Sequence, residues 1–201
     1  MRTNLVRKLI FLITVILLPM MQQSLADETP LAQSAVFPLK IGGTFQLIDH
    51  TGQTRTEQDF IGRYMLVYFG YTYCPNICPT DLQKITTTLE QLGDRAAHIQ
   101  PLFITIDPAR DRPDLLKEYV ANFHSSFIGL TGSEAQIRAV AKTYKVHRVK
   151  VPMPDAGPDE YLVNHSAFIY LMGEDGQLLT LFPYATDQKK MTETIQKYVP
   201  A

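Results

Sequence analysis

Three observations predict an α/β fold for this 201-residue chain, a central sheet flanked by helices. Two continuous runs of β-forming apolar residues, Met65–Tyr71 and Leu102–Ile106, have the character of strands buried on both faces. Each is followed by apolar residues at steps of three and four, the mark of an amphipathic helix. Near the C-terminus, Ser166–Met172 and Leu178–Phe182 flank Glu174-Asp175-Gly176, a hairpin turn between antiparallel strands.

The remaining elements follow in chain order. Phe45–Ile48 alternates, and Asp49–Gln53 supplies turn residues around Gly52, so a short hairpin extension should precede the main sheet. Strand Met65–Tyr71 leads into a helix with Leu82, Ile85, Leu89 and Leu92 inward, ending at Gly93. After strand Leu102–Ile106, closed by Asp107-Pro108, Pro113 suits a first helical turn and Leu115, Leu116, Tyr119, Val120 and Phe123 form one apolar face. Phe127–Leu130 is a short strand, and Ser133 caps a helix that turns Ile137, Val140, Ala141 and Tyr144 inward. A final helix runs from about Thr186 to Tyr198. The stretch Val146–Leu162 holds Pro152, Pro154, Gly157 and Pro158 and reads as a long irregular loop, a feature often tied to function. This order of elements describes a thioredoxin-like layer.

Composition narrows the function. The chain is 45% hydrophobic and 19% charged, which suits one packed domain and no second core. Its net charge of −1 and lack of a long basic run give no footing for nucleic-acid binding. The first residues combine a basic start (Arg2, Arg7, Lys8), an apolar run from Leu9 to Leu18, and Ser24-Leu25-Ala26 before Asp27-Glu28. That is the layout of a secretory signal, expected over residues 1–26 with cleavage after Ala26. The alternative is an uncleaved anchor tethering the domain to the inner membrane, facing the periplasm. No cysteine lies near the cleavage site, which excludes a lipoprotein. Residues 27–39 form a polar linker, and the domain occupies 40–201. Residues 1–26 hold three basic groups and no acidic one, so without them the formal charge falls from −1 to −4.

Export places the only two cysteines, Cys74 and Cys78, in an oxidising periplasm. They sit in Cys74-Pro75-Asn76-Ile77-Cys78-Pro79, between a central strand and the start of the next helix, the ligand-binding side of an α/β sheet. Four residues apart, they would share one helix face, where backbone N–H groups and the helix dipole favour thiolate. An inert disulfide would close so small a loop that it would stabilise little. A dithiol redox centre and a metal site remain, although three intervening residues, rather than two, weaken the redox reading.

A metal site needs a third ligand. His50 lies in a hairpin turn, His98 before a strand and His124 at a helix end, all positions that suit a solvated histidine. His165 immediately precedes strand Ser166–Met172, at the place where thioredoxin-like folds usually carry a cis-proline beside the cysteine helix. His147 and Met153, on the long loop, are auxiliary soft donors at most. Two thiolates and one imidazole form a soft three-ligand set suited to copper, Cu(I) in particular, whereas structural zinc takes four ligands. An incomplete shell also leaves an edge from which a partner can take the metal. A peroxidase is set aside, because Thr72 lies two residues before Cys74 and no proline falls between Tyr64 and Tyr73.

Three blocks, FGYTYCPNICPTDL (Phe69–Leu82), FITIDPARDRPDLLKEY (Phe103–Tyr119) and YLVNHSAFIYLMGEDG (Tyr161–Gly176), make the sequence resemble the Sco/SenC family of thioredoxin-like copper proteins. The resemblance covers about residues 38 to 199. It implies one copper ion, Cu(I) or Cu(II), on Cys74, Cys78 and His165. It also implies delivery to a cytochrome oxidase copper-centre subunit, with other periplasmic copper carriers and thioredoxin-like reductants as further partners. The alternative role is a thiol-disulfide oxidoreductase that reduces the oxidase's cysteine ligands, with Cys74 and Cys78 as the redox pair. Asn76 and Asn164 stand where the family often has Asp, and Arg112 where it often has Thr; none is a ligand position. Asp107-Pro108-Ala109-Arg110-Asp111 is expected to supply a helix cap and a local ion pair, with docking of a partner as the alternative. Lys145, His147, Arg148 and Lys150 form a basic cluster expected to be solvated, with steering of an acidic partner as the alternative.

Overall fold

A computed structural model describes residues 40–201 apart from 155, 156, 158 and 159. The expected signal at 1–26 and linker at 27–39 lie outside the described residues. The apolar runs form the predicted central strands, β3 (Tyr64–Gly70) and β4 (Ile99–Thr105), which pair in parallel. Parallel neighbours need a crossover, here the helix α1 (Ile77–Leu92). A second crossover, α2 (Pro113–Val120), leads to β5 (Ile128–Thr131), also parallel to β4. Pro113 sits at the first turn of α2, where its missing N–H costs nothing. Gly93 ends α1 with φ 55°, as a helix-terminating glycine should.

The N-terminal hairpin, β1 (Gln46–Asp49) and β2 (Thr54–Thr56), is continuous with the main sheet, because β1 also pairs antiparallel with β5. After β5 comes α3 (Glu134–Thr143), opened by a reciprocal capping box between Ser133 and Gln136. Beyond an intervening pair of strands lie β8 (Phe168–Met172), β9 (Leu178–Pro183) and α4 (Gln188–Ile195). The main sheet has seven strands in the order β2-β1-β5-β4-β3-β8-β9, and β3, one of its inner strands, is buried along nearly its whole length. Asp187 caps α4, which is shorter at both ends than the apolar pattern suggested.

Val146–Leu162 is not an irregular loop. Seven of its residues, with the next three, form a second, two-stranded sheet, β6 (Arg148–Pro152) paired antiparallel with β7 (Tyr161–His165). Val149, Val151 and Leu162 share one exposed face of this hairpin, so no strand-like burial contrast shows in the sequence.

One buried carboxylate pins the first hairpin. Burial alone would push Asp49 up, but the Thr51 hydroxyl, Arg55, and the Gln53 and Thr51 amides all donate to it and hold it at about 2. The folded value lies below the unfolded one of about 3.9. The contribution is therefore present above about pH 5 and is lost as pH falls through about 4 towards 2. Asp49→Asn is expected to lower stability at neutral pH by about 1–2 kcal/mol and to flatten its loss in acid, as urea unfolding from pH 2 to 7 would show.

Candidate metal centre

The sheet ends its central strand at Gly70, and the chain must turn at once from β3 into α1. Tyr71–Asn76 makes that turn, with the Cys74 N–H donating to the Tyr71 carbonyl at 3.2 Å. Asn76 is the N-cap of α1, so Ile77 is its first residue and Cys78 its second. The two cysteines therefore do not share a helix face, as their spacing suggested. Only Cys78 is helical, and the turn folds Cys74 back until its Sγ accepts the Cys78 N–H at 3.4 Å. A sulfur thus takes up one of the free amides at the helix start. Pro79 falls in the first turn, where it breaks no helical bond.

Cys78 is fully buried and Cys74 half-buried, and both are free thiols. Hydrogen bonding from Cys78 holds Cys74 at about 3, against the opposing effect of its own burial. Cys78 moves the other way, pushed up by its bond to Cys74, by burial and by the neighbouring negative charge. Cys74 is thus the more acidic and the more accessible sulfur, and Cys78 the less acidic and enclosed one.

The third side chain arrives from another sheet. His165 is the last residue of β7, with two residues between it and β8, so it ends a hairpin and does not immediately precede a core strand as expected. No cis peptide occurs among the described residues. Its Nε2 lies 3.6 Å from the Cys78 Sγ, and its Nδ1 is 3.1 Å from the Ser166 carbonyl. A carbonyl only accepts, so in the neutral ring Nδ1 carries the proton and the Nε2 lone pair faces the sulfurs. Tyr68 and Tyr71 flank the imidazole edge-on, with ring centroids 6.4 and 6.1 Å away. The donor atoms of Cys74, Cys78 and His165 all lie within 4.8 Å of one another, the one such group of three among the described residues.

The other candidates are elsewhere. The His50 Nδ1 accepts the Gly129 N–H, His124 bonds to Ser126, and His98 and His147 are exposed, as is Met153.

Sequence reasoning missed several supporting residues. A Cβ on Gly70 would stand 2.9 Å from the Cys78 Sγ and 2.8 Å from the Phe103 ring, so only glycine leaves room for the sulfur. The Tyr71 hydroxyl accepts the Val163 N–H at 3.1 Å, tying β7 to the cysteine turn. Asp107 and Arg110 do pair, at 2.5 Å, but the carboxylate is buried and the pair does not cap α2, whose N-cap is Arg112. Asp107 also accepts the Tyr161 hydroxyl at 2.8 Å, while the Arg110 guanidinium lies 3.8 Å over the Tyr161 ring. Arg148 donates to the Ile106 carbonyl at 2.6 Å. These contacts anchor the His165 hairpin to the end of β4. Asp111, fully buried, accepts from the Thr72 amide and hydroxyl and the Thr105 hydroxyl, fixing the start of the cysteine turn. None of these contacts has a sequence period; all join residues far apart in the chain or serve a single turn.

Because the Tyr161 hydroxyl is a latch between hairpin and sheet, Tyr161→Phe is expected to cost about 1–2 kcal/mol and to speed amide exchange along β7. Hydrogen-exchange mass spectrometry reads both sides of this: unchanged β7 protection would show that the latch is idle.

The geometry meets independent likenesses. The SCO1/SenC family model matches residues 33–200. The mitochondrial protein SCO2 of Saccharomyces cerevisiae is 41% identical over 174 residues, 84% of this chain and 58% of its own length. A SCO2-like protein of Rickettsia felis is 44% identical over 158 residues, 79% of this chain and 77% of its own. This chain thus spans little more than half of the yeast protein. Among solved structures, copper-bound ScoI of Bradyrhizobium japonicum superposes with a TM-score of 0.72 at 36% identity, covering 79% of this chain and 99% of that one. Copper-bound yeast Sco1 gives 0.68 at 40%, covering 81% and 92%. With the thioredoxin-like sheet and the Cys-Cys-His cluster in one place, these matches show that the chain belongs to the SCO1/SenC family.

Proposed function

We propose that this domain is a copper metallochaperone that holds one ion on Cys74, Cys78 and His165 and passes it to a cytochrome oxidase copper centre. The observation that carries the reading is the convergence of two sulfurs and one imidazole within 4.8 Å, on a turn, a helix start and a hairpin end. Copper is the cargo. Two thiolates and a neutral nitrogen suit Cu(I) in a three-ligand shell and can also hold Cu(II). Cys78 is enclosed, whereas the rim beside it, Tyr73, Pro75, Asn76 and Ile77, is exposed. A partner's ligands can therefore approach from the rim side and displace the domain's own one at a time. The solved relatives with copper bound support the choice of metal, and the oxidase destination is what family membership implies. Among the described residues no helix is long and apolar enough to cross a membrane. We place the domain in the periplasm, exported by residues 1–26, with an inner-membrane tether as the alternative.

Titrating the reduced domain with Cu(I) under a competing chelator tests the assignment. Wild type is expected to retain about one equivalent. His165→Ala should weaken retention by more than the roughly 10–100-fold that loss of an outer-shell partner costs. Full affinity in that variant would remove His165 from the ligand set.

The half-buried Cys74, whose Sγ accepts the Cys78 N–H and is the more acidic of the two, beside the enclosed Cys78 favours a second reading, thiol-disulfide exchange. The Cys74 thiolate would attack a partner disulfide, releasing one partner thiolate. Cys78 would then close the domain's own disulfide and release the other, two electrons passing to the partner. A domain disulfide too stable to exchange with partner thiols would exclude this role.

A further inference from the structure

A groove of about 950 Å³ runs between α3 and the β6–β7 hairpin. Its walls carry Arg138 and Lys142 on one side and His147, Arg148 and Lys150 on the other, with Glu134 the single acidic residue among the described residues that line it. Glu134 is engaged by both Arg138 and Arg148. The groove is thus strongly basic on a domain whose formal charge, without residues 1–26, is −4. Its floor, including Ala141, Val146 and Val163, is apolar.

Two features say what shape of ligand fits. Among the described residues β6 is paired only with β7, so its other edge offers backbone donors and acceptors to an added extended chain. The site is also concave, with cations on opposing walls, which suits a strand-like segment and excludes the flat surface of a bilayer. Its place relative to the metal centre is fixed by the strand. Val163 and His165 lie on the same side of β7, about 6.6 Å apart at 3.3 Å per residue. Arg148 is the register partner of His165.

We propose that this groove is a docking site for an extended acidic segment of the protein that exchanges copper with the domain, added along the free edge of β6. The inference rests on the chaperone reading for the partner's role, but the binding of an acidic strand does not require it. Carboxylates spaced along the segment meet the four cations, small apolar side chains meet the floor, and the partner's metal ligands are brought beside His165. Charge complementarity of this kind chiefly sets encounter rate and register.

The test uses copper-free, reduced domain and a fluorescein-labelled decapeptide alternating Glu and Val, followed by anisotropy. Binding at low ionic strength that weakens with added salt is expected. Arg138→Glu with Lys142→Glu, both exposed on α3, should weaken it about tenfold or more. Lys189→Glu with Lys197→Glu, in and just after α4, changes the net charge equally and should leave it within about twofold. Equal loss in the two double variants, no binding at millimolar peptide, or binding of phosphatidylglycerol vesicles or inorganic phosphate in place of the peptide would overturn the proposal. Copper retention is titrated separately on the same proteins. A failure of the chaperone reading therefore shows in the copper arm, and a failure of the groove in the peptide arm.

Discussion

Cys78→Ser should abolish stoichiometric copper retention by the reduced domain while leaving it folded. The serine hydroxyl does not ionise near neutral pH and is a hard oxygen donor, so the soft set loses a thiolate and keeps one sulfur and one nitrogen. The substitution removes little volume, and the buried hydroxyl is expected to cost about 1–3 kcal/mol if it finds no partner. Metal analysis after desalting is expected to give well under a tenth of the wild-type copper, with a circular dichroism spectrum unchanged. Retention of one equivalent would remove Cys78 from the ligand set. Cys78→Ala, which buries no polar atom, separates loss of the ligand from any effect of the hydroxyl.

Gly70→Ala should damage both stability and the metal centre, although it adds one methyl group and replaces no ligand. The new carbon would meet the Phe103 ring at 2.8 Å, the Cys78 Sγ at 2.9 Å and the Tyr68 ring at 3.0 Å. All three neighbours are fully buried, in a sheet packed on both sides, so none has free space to move into. Overpacking of this kind costs about 1–3 kcal/mol, and the sulfur is the neighbour at the edge of the core. Cys78 is therefore expected to shift away from His165, so copper retention should fall together with the urea midpoint. A variant with lowered midpoint but full copper affinity would show that the core, and not the sulfur, takes up the strain.

The central strands were legible because burial on both faces leaves an unbroken apolar run in Met65–Tyr71 and Leu102–Ile106. Helix α1 was legible because Leu82, Ile85 and Leu89 repeat at helical spacing on a buried face. The hairpin β6–β7 was not. It packs no continuous apolar face into the core, exposes Val149, Val151 and Leu162, and interrupts its apolar residues with Arg148, Lys150 and Pro152. It is held largely by single contacts such as Tyr161–Asp107, 54 residues apart, which no local pattern reports. The basic cluster Lys145, His147, Arg148 and Lys150 was visible, but its partners Arg138 and Lys142 across a groove were not.

The sequence by itself determined the fold class, the order of the main elements, the position of the cysteine pair at a strand–helix junction, and His165 as the best candidate among five histidines. Those properties follow from local periodicity and from residue chemistry. Only the tertiary structure decided how the donors meet. It placed Cys74 in the turn and not on the helix, ended a separate hairpin at His165, and required a glycine under the Cys78 sulfur. The physical reason is that donor convergence depends on where separate elements pack. Packing joins residues such as Cys78 and His165, 87 positions apart, through contacts that leave no period in the chain.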